Sequence, residues 1–302
     1  MSTDAIPRAE ERDAVPPHAA EVPAARLFLW SVRRELWEYR FLYWAPVIVG
    51  ALTVVGYVIA TLGRALSTHD MALRRKILEE QPDFAAAMIL VTAVLAGIFY
   101  LLDALQAERR DRSILFWKSL PVSDTLTVLA KFTVGGVLAP LIGYAITLVA
   151  QFLMLLVGSA VMLANGFGPG AMWHHFFVES FGLLYHMLTI HILWWAPLYA
   201  WLLLVSAAVR HIAFVWAALP VAGLVALEHA LFGSKFLPGY LLYRVSGGGM
   251  EAMVPAGKMP MDPMAHLTPI NFLLTPGLWG GLAVAAVFLY VAMRVRRARG
   301  PM

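Results

Sequence analysis

Six long apolar stretches set the strongest limit on how this chain can fold. In order, they cover residues 44–63, 84–106, 126–155, 180–208, 211–232 and 275–295. Each has about the 20 residues that a helix needs to cross a bilayer. Backbone N–H and C=O groups in lipid must be hydrogen-bonded within the protein, which a helix achieves. With 60% hydrophobic and 14% charged residues, the sequence predicts an all-α polytopic membrane protein with six transmembrane helices. Pro140 and nearby glycines leave open whether the third span, apolar as far as Ala164, is one helix or broken.

Basic residues predict the orientation of these spans. With six spans, both ends of the spanning region lie on the same side of the membrane. Beyond residue 25, fourteen Lys and Arg residues fall on that side and seven fall on the other. Basic residues concentrate on the cytoplasmic side of membrane proteins. We therefore expect both termini to be cytoplasmic. The pI of 9.4 calls for no nucleic-acid partner, because the positive charge lies beside the spans.

The chain divides into a short N-terminal tail and a membrane domain. Residues 1–25 contain four prolines and lack the apolar core of a signal peptide, so they are predicted to be a disordered cytoplasmic tail. Residues 26–302 form the predicted membrane domain. It opens with an amphipathic helix that places tryptophans on one side and Arg26, Arg33 and Arg40 on another, which is typical of an interfacial helix in contact with lipid headgroups.

The segment from Glu108 to Thr125 is the most charged connection between two spans. Asp111 or Ser113 can cap a short amphipathic helix, and Pro121 prevents its continuation because proline has no amide hydrogen. Ser123 or Asp124 can then cap the next helix. The apolar side chains of the short helix are Ile114, Leu115, Trp117 and Leu120. This pattern predicts a docking element, although an ordinary surface loop has similar features.

Glu108, the Leu120–Pro121 pair, Ser123 and Lys131 together resemble the signature of the type-two (ABC-2 type) permeases of ATP-binding-cassette exporters. The family often has Gly-Thr where this chain has Arg112-Ser113. The resemblance implies a coupling helix that seats in a groove of a cytoplasmic ATPase. It implies contact through Glu108, Arg112, Ile114, Leu115, Trp117, Leu120 and Pro121. It also implies a second permease, identical or related, and a location in the bacterial inner membrane.

The sequence contains no phosphate-binding loop of its own. The nearest fragment, Gly233-Ser234-Lys235, has the wrong order for the P-loop pattern. The chain is therefore not expected to be an enzyme or to hold a cofactor, and ATP and Mg²⁺ would bind a partner ATPase. The absence of cysteine excludes disulfides, thiolate metal sites and cysteine nucleophiles.

Several ionisable or polar residues lie within or beside the apolar stretches, where they are costly. Asp103 and Lys131 are predicted to form a structural ion pair across the hairpin of spans two and three. Gln151, Glu179 and His186 are candidates for a polar patch on a translocation path, since Glu179 and His186 are two helical turns apart. Hydrogen bonding between helices is the alternative for these three residues.

A Met-rich stretch between spans five and six suggests a second class of function. Thioethers favour Cu(I), so a copper-handling permease is one alternative, while methionine as an adaptable apolar filler is another. The candidate ligands are Met250, Met253, Met259, Met261, Met264 and His266. A membrane scaffold without transport activity is a third interpretation. None of these patterns specifies a transported substrate or distinguishes a homodimer from a heterodimer.

Overall fold

The computed structural model describes residues 22–65, 71–119, 122–247 and 269–299, and the regular secondary structure within them is entirely helical. Numbered in chain order, the α-helices are α1 (Ala24–Glu38), α2 (Phe41–Ala60), α3 (Met71–Arg110), α4 (Ile114–Ser119), α5 (Asp124–Thr133), α6 (Ala139–Ala164), α7 (Gly170–His186), α8 (Ala196–Ala208), α9 (Ala213–Phe232), α10 (Phe236–Val245), α11 (Pro269–Leu274) and α12 (Pro276–Ala298). This confirms the predicted all-α class.

Within the described residues, six helical segments are long and apolar enough to cross a membrane, as a multi-pass membrane protein requires. They are Phe41–Gly63, Gln81–Arg110, Asp124–Ala164, Gly170–Trp194, Ala213–Phe232 and Pro276–Ala298. The predicted number of spans is therefore confirmed.

The boundaries of the fourth span differ from the prediction. The sequence indicated one span over residues 180–208, whereas the helix begins at Gly170 and its regular course ends at Trp194. The chain turns at Trp195, and α8 then begins with Pro197 in its first turn. Proline cannot donate the backbone hydrogen bond that would continue the preceding helix. The break was hidden from the sequence because the residues on both sides of it are apolar.

The third span is continuous, which answers the question that the sequence left open. α5 and α6 are joined by a π-helical segment, Val134–Leu138, and Pro140 falls in the first turn of α6. A Cβ atom added to Gly135 would lie 2.5 Å from Leu101 Cγ, so only glycine permits this close approach to α3. The π-helical turn accommodates the proline and the tight packing without ending the helix.

α3 lies at the centre of the bundle and packs against α2, α6 and α8, while α12 packs along α8. Its buried Tyr100 and Leu101 contact a core that includes Tyr199 and Leu203 of α8 and Ala292 of α12. α9, by contrast, leaves almost its whole surface exposed. Arg34 of α1, Arg109 and Arg110 at the end of α3 and Arg296 in the last turn of α12 lie at one end of the bundle, which we call the basic end.

α1 shows the amphipathic pattern in part. It ends at Glu38, earlier than the predicted limit near residue 44, and α2 follows after Tyr39 and Arg40. Trp30 and Trp37 are exposed, as an interfacial helix requires, but Glu35 on the same helix is only 1% exposed. α1 is therefore attached to the bundle through a buried carboxylate.

Candidate functional site at the basic end

The connection between α3 and α5 is a sharp turn that carries α4. α3 ends at Arg110, and Arg112 then adopts the left-handed conformation with φ of 58°. After α4, the Ser123 hydroxyl accepts a hydrogen bond of 3.2 Å from the Leu126 amide and caps α5. The predicted short helix is present between two long ones, and Ser123 rather than Asp124 is the capping residue of the second.

α4 presents two of its side chains outward and one inward. Leu115 and Phe116 are 58% and 59% exposed, whereas Ile114 is 1% exposed. Ile114 therefore anchors α4 to the bundle and is not available to a partner, contrary to the prediction. Phe116, which the sequence analysis did not select, takes its place on the outer surface. The side chain of Trp117, together with Leu120 and Pro121, lies outside the described residues.

A buried ion network lies next to the turn that precedes α4. Lys131 Nζ is 2.9 Å from each carboxylate oxygen of Glu35, and the Tyr100 hydroxyl donates to Glu35 Oε2 at 2.9 Å. Lys131 and Glu35 are each 1% exposed at the side chain. Since a buried charge is stable only when it is paired and hydrogen-bonded, these contacts fix α1, α3 and α5 to one another.

Glu108 extends the network to α12. Its carboxylate is 3.1 Å from Lys131 Nζ, 3.0 Å from Arg296 Nη2 and 3.5 Å from Arg34 Nη2. Arg296 also pairs with Asp124 at the start of α5. The six ionisable residues therefore balance, with three carboxylates and three cations. Glu108 is also joined to the α4 turn, because Ser113 Oγ donates to its backbone carbonyl at 3.4 Å.

The predicted ion pair between Asp103 and Lys131 is wrong. Asp103 faces Arg110 at 3.4 Å, and its side chain is 40% exposed, whereas Lys131 pairs with Glu35 and Glu108. Asp103 and Glu108 are five residues apart, which is a rotation of about 140° around the helix. Only the face that carries Glu108 is turned toward α5. The prediction identified the two paired helices, α3 and α5, correctly, but it chose the wrong face of α3.

Three groups next to the network lie outside the spanning segments and have shifted pKa values. Burial opposes the charge on Arg34, but Glu35 raises the Arg34 pKa above its usual value. Burial also raises the pKa of Glu38, although Arg34 partly offsets it. The pKa of Tyr39 is raised, chiefly by burial and then by Asp103. Glu35 of the network thus favours the charged form of Arg34, whereas burial favours the neutral forms of Glu38 and Tyr39.

A second set of contacts fastens the end of α3 to the end of α8. The hydroxyl oxygen of the buried Ser206 accepts hydrogen bonds of 3.1 Å from the Leu105 and Gln106 amides. In return, Arg109 donates to the Ser206 carbonyl at 3.0 Å, and Gln106 Nε2 donates to the Arg210 carbonyl at 2.9 Å. These donors satisfy carbonyls that the end of a helix leaves without partners. The end of α3 is therefore connected to α8 as well as to α1, α5 and α12.

Sequence reasoning missed most of this network. It selected Glu108 and Lys131 but assigned Arg34 and Arg296 to charge asymmetry and gave Glu35 and Tyr100 no role. Lys131 and Glu108 were a usable signal, because two ionisable groups beside apolar spans require partners. Those partners are distant in sequence, with Arg296 188 residues from Glu108.

The three candidate pathway residues do not form one group. Gln151 and Glu179 line the same cavity, of about 400 Å³, at the end of the bundle opposite the basic end. His186 packs instead against His191, with 5.5 Å between ring centroids, where α7 passes into the π-helical segment Met187–Trp194. The methionines and His266 of the predicted copper site lie outside the described residues.

Comparison of the chain with protein-family models, with curated proteins and with solved structures gives no match in any of the three. The arrangement of the chain's own residues is therefore the basis for a functional assignment.

Proposed function

We propose that this chain is the membrane-spanning permease subunit of an ATP-driven exporter, and that α4 is the helix through which a separate cytoplasmic ATPase moves it. The observation that carries the proposal is the position of α4. It exposes Leu115 and Phe116 on its outer surface and is anchored by the buried Ile114. The turn before it is joined through Ser113 to Glu108, whose carboxylate is tied to three other helices.

The network supplies a mechanism for transmitting movement. A push or pull on Leu115 and Phe116 moves the turn at Arg112 and, with it, the end of α3. Separating Glu108 from Lys131 or Arg296 would leave a buried charge without its partner, which is strongly unfavourable. The helices joined by these contacts therefore move together as a unit, and a small displacement of α4 becomes a rigid-body movement of the bundle.

In this proposal the basic end faces the cytosol, in accordance with the distribution of Lys and Arg. ATP and Mg²⁺ are held by the partner, because the sequence has no P-loop. A second permease, identical or related, completes the translocation path. The exposed faces of α2 and α9 carry large apolar side chains, such as Leu52, Ile59, Leu219 and Leu227, which suit contact with lipid or with that second subunit.

A photo-crosslinking amino acid at Phe116 tests the docking surface directly. Membranes that contain the variant are irradiated in the presence of a radiolabelled, photoreactive ATP analogue. We expect a crosslinked product that contains this chain and a polypeptide labelled by the analogue. The same crosslinker at Leu242, an exposed residue of α10 at the opposite end, is the matched control. A labelled product at both positions or at neither refutes docking at α4.

The double variant Leu115→Asp/Phe116→Asp provides the complementary test. Charged groups cannot enter an apolar groove without a large desolvation cost, so we expect loss of the co-purified ATPase activity with normal membrane insertion. Phe236→Asp/Leu242→Asp makes the same chemical change on the exposed surface of α10 and should retain that activity. Retention by the α4 variant would remove this element from the interface.

The orientation can be measured with single cysteines because the natural chain has none. Asp111→Cys places a thiol at the exposed basic end, and Lys235→Cys places one at the exposed opposite end. In intact cells a membrane-impermeant maleimide should label only the second. Labelling of Asp111→Cys from outside would invert the topology and exclude a cytoplasmic ATPase as the partner of α4.

A further inference from the structure

A mixed imidazole and carboxylate cluster lies at the end of the bundle opposite α4. Asp83 of α3 and His175 and Glu179 of α7 bring one ligand atom each to within 4.8 Å of one another. His175 Nε2 and Glu179 Oε1 are 2.8 Å apart. These three side chains line the cavity of about 400 Å³ that also contains Gln151. The cluster is separate from the ion network at the basic end.

The local fold builds this cluster from two distant parts of the sequence. His175 and Glu179 are four residues apart and therefore share one face of α7. α7 is held against α6 by the hydrogen bond of 3.1 Å from Trp173 Nε1 to Ser159 Oγ and by the edge contact of Trp173 with Phe152. Asp83 follows Pro82 in α3. The Pro82 carbonyl accepts a hydrogen bond of 3.5 Å from Gln151 Nε2. The position of α7 is thus fixed by packing that does not involve the cluster.

The donor atoms of the cluster suit a divalent cation. Asp83 and Glu179 each offer a carboxylate oxygen and His175 offers a ring nitrogen, and these atoms lie within 4.8 Å of one another at the wall of the cavity. Imidazole nitrogen and carboxylate oxygen are both common ligands of first-row dications in proteins. A divalent cation would use the lone pairs of all three ligand atoms.

We propose that Asp83, His175 and Glu179 bind a first-row transition-metal dication of the Zn²⁺ type. The imidazole distinguishes this site from Ca²⁺ and Mg²⁺ sites, whose ligands are oxygen atoms. Three protein ligands leave one position of a tetrahedral Zn²⁺ site open to the cavity. The site goes beyond the proposed function and does not depend on it.

The geometry requires only a small adjustment. Zn²⁺ bonds of about 2.0–2.2 Å in a tetrahedral site hold the ligand atoms about 3.3 Å apart. His175 Nε2 and Glu179 Oε1, at 2.8 Å, must separate slightly, and the widest distance, at most 4.8 Å, must close by up to about 1.5 Å. Asp83 and His175 are exposed, so a change of side-chain rotamer achieves this. Bound metal would join α3 to α7 at this end.

Titration of the purified full-length chain with Zn²⁺ tests the site. The protein is used without a histidine tag, in detergent, against a chelating indicator dye. We expect one equivalent to bind the natural chain and at least a tenfold loss of affinity in each of Asp83→Asn, His175→Gln and Glu179→Gln. His211→Gln and Asp111→Asn remove an exposed imidazole and an exposed carboxylate elsewhere and should leave the affinity unchanged.

A gain-of-affinity variant separates loss of a ligand from loss of the fold. Asp83→His gives the site a second imidazole, and Zn²⁺ binds an imidazole nitrogen more tightly than a carboxylate oxygen. We expect binding at least threefold tighter than in the natural chain, together with a higher melting temperature in Zn²⁺. Failure of the natural chain to bind a stoichiometric Zn²⁺, or equal affinity in the three loss variants and the controls, would overturn the proposal.

Discussion

Replacement of Lys131 by methionine removes the only ammonium group from the buried network and preserves the length of the side chain. Lys131 Nζ lies 2.9 Å from Glu35 and 3.1 Å from Glu108. At an effective dielectric constant of about 20, each contact is an attraction of about 5–6 kcal/mol before the cost of desolvation is subtracted. The variant leaves one excess negative charge among three carboxylates and two guanidinium groups.

We expect Lys131→Met to lower the free energy of unfolding by about 3–5 kcal/mol, the usual result of removing one partner from a buried ion pair. Glu108 keeps Arg296 and Glu35 keeps Arg34, but Glu35 loses the contacts of Lys131 Nζ with both of its oxygens, so most of the loss should come from Glu35. The double variant Glu35→Gln/Lys131→Met removes one charge of each sign. It should therefore be more stable than the sum of the two single changes by about 2 kcal/mol, as expected of directly contacting residues.

The assay is unfolding in mixed detergent and SDS micelles, followed by far-ultraviolet circular dichroism. Lys235→Met is the matched control, because it removes an exposed lysine and should change stability by less than about 0.5 kcal/mol. The reasoning fails if Lys131→Met behaves like this control. It also fails if the double variant costs the full sum of the single changes, since Glu35 and Lys131 would then be energetically independent.

Three further changes test local features of the fold by the same unfolding measurement. Arg112→Gly should stabilise the chain by about 1 kcal/mol, because Arg112 holds a left-handed conformation with φ of 58° that glycine adopts without strain; an unchanged or lower stability would contradict this. Ser123→Ala should cost about 1 kcal/mol through loss of the α5 cap, while Ser123→Asp should retain most of it; equal effects would exclude capping as the cause. Gly143→Ala should cost about 1–3 kcal/mol, because the added Cβ would lie 2.5 Å from Ala93 Cβ. Gly56→Ala, which meets nothing within 4 Å, is its control and should not be destabilising.

The parts of the fold that were predictable from sequence depend on composition and local geometry. Six apolar stretches are sufficient to predict six spanning helices, because a single segment in lipid can pair its backbone polar groups internally only as a helix. Ser123 could be proposed as a cap because capping is a contact between residues three apart in sequence. The break at Trp195 could not be placed, because Pro197 is also compatible with a kink inside a longer helix.

The candidate site was less accessible to sequence reasoning because it depends on which helical faces meet. Glu35 lies among arginines in an amphipathic helix and reads as a surface residue, yet it is buried against Lys131. Phe116 and Ile114 are both apolar residues of a six-residue helix, and only the packing of α4 shows which one points outward. Asp83 and His175 are 92 positions apart in the sequence, so no local pattern could pair them.

The buried ion network also has a consequence for the biogenesis of the protein. Glu108 belongs to α3, Asp124 to α5 and Arg296 to α12, so the ribosome makes the guanidinium long after the two carboxylates with which it pairs. Until α12 emerges, Glu108 has only its contacts with Lys131 and Arg34, and Asp124 must rely on water, lipid headgroups or the insertion machinery for compensation. The order in which the helices enter the membrane therefore differs from the order in which the basic end reaches its final packing, and the C-terminal helix completes the charge balance of segments inserted much earlier.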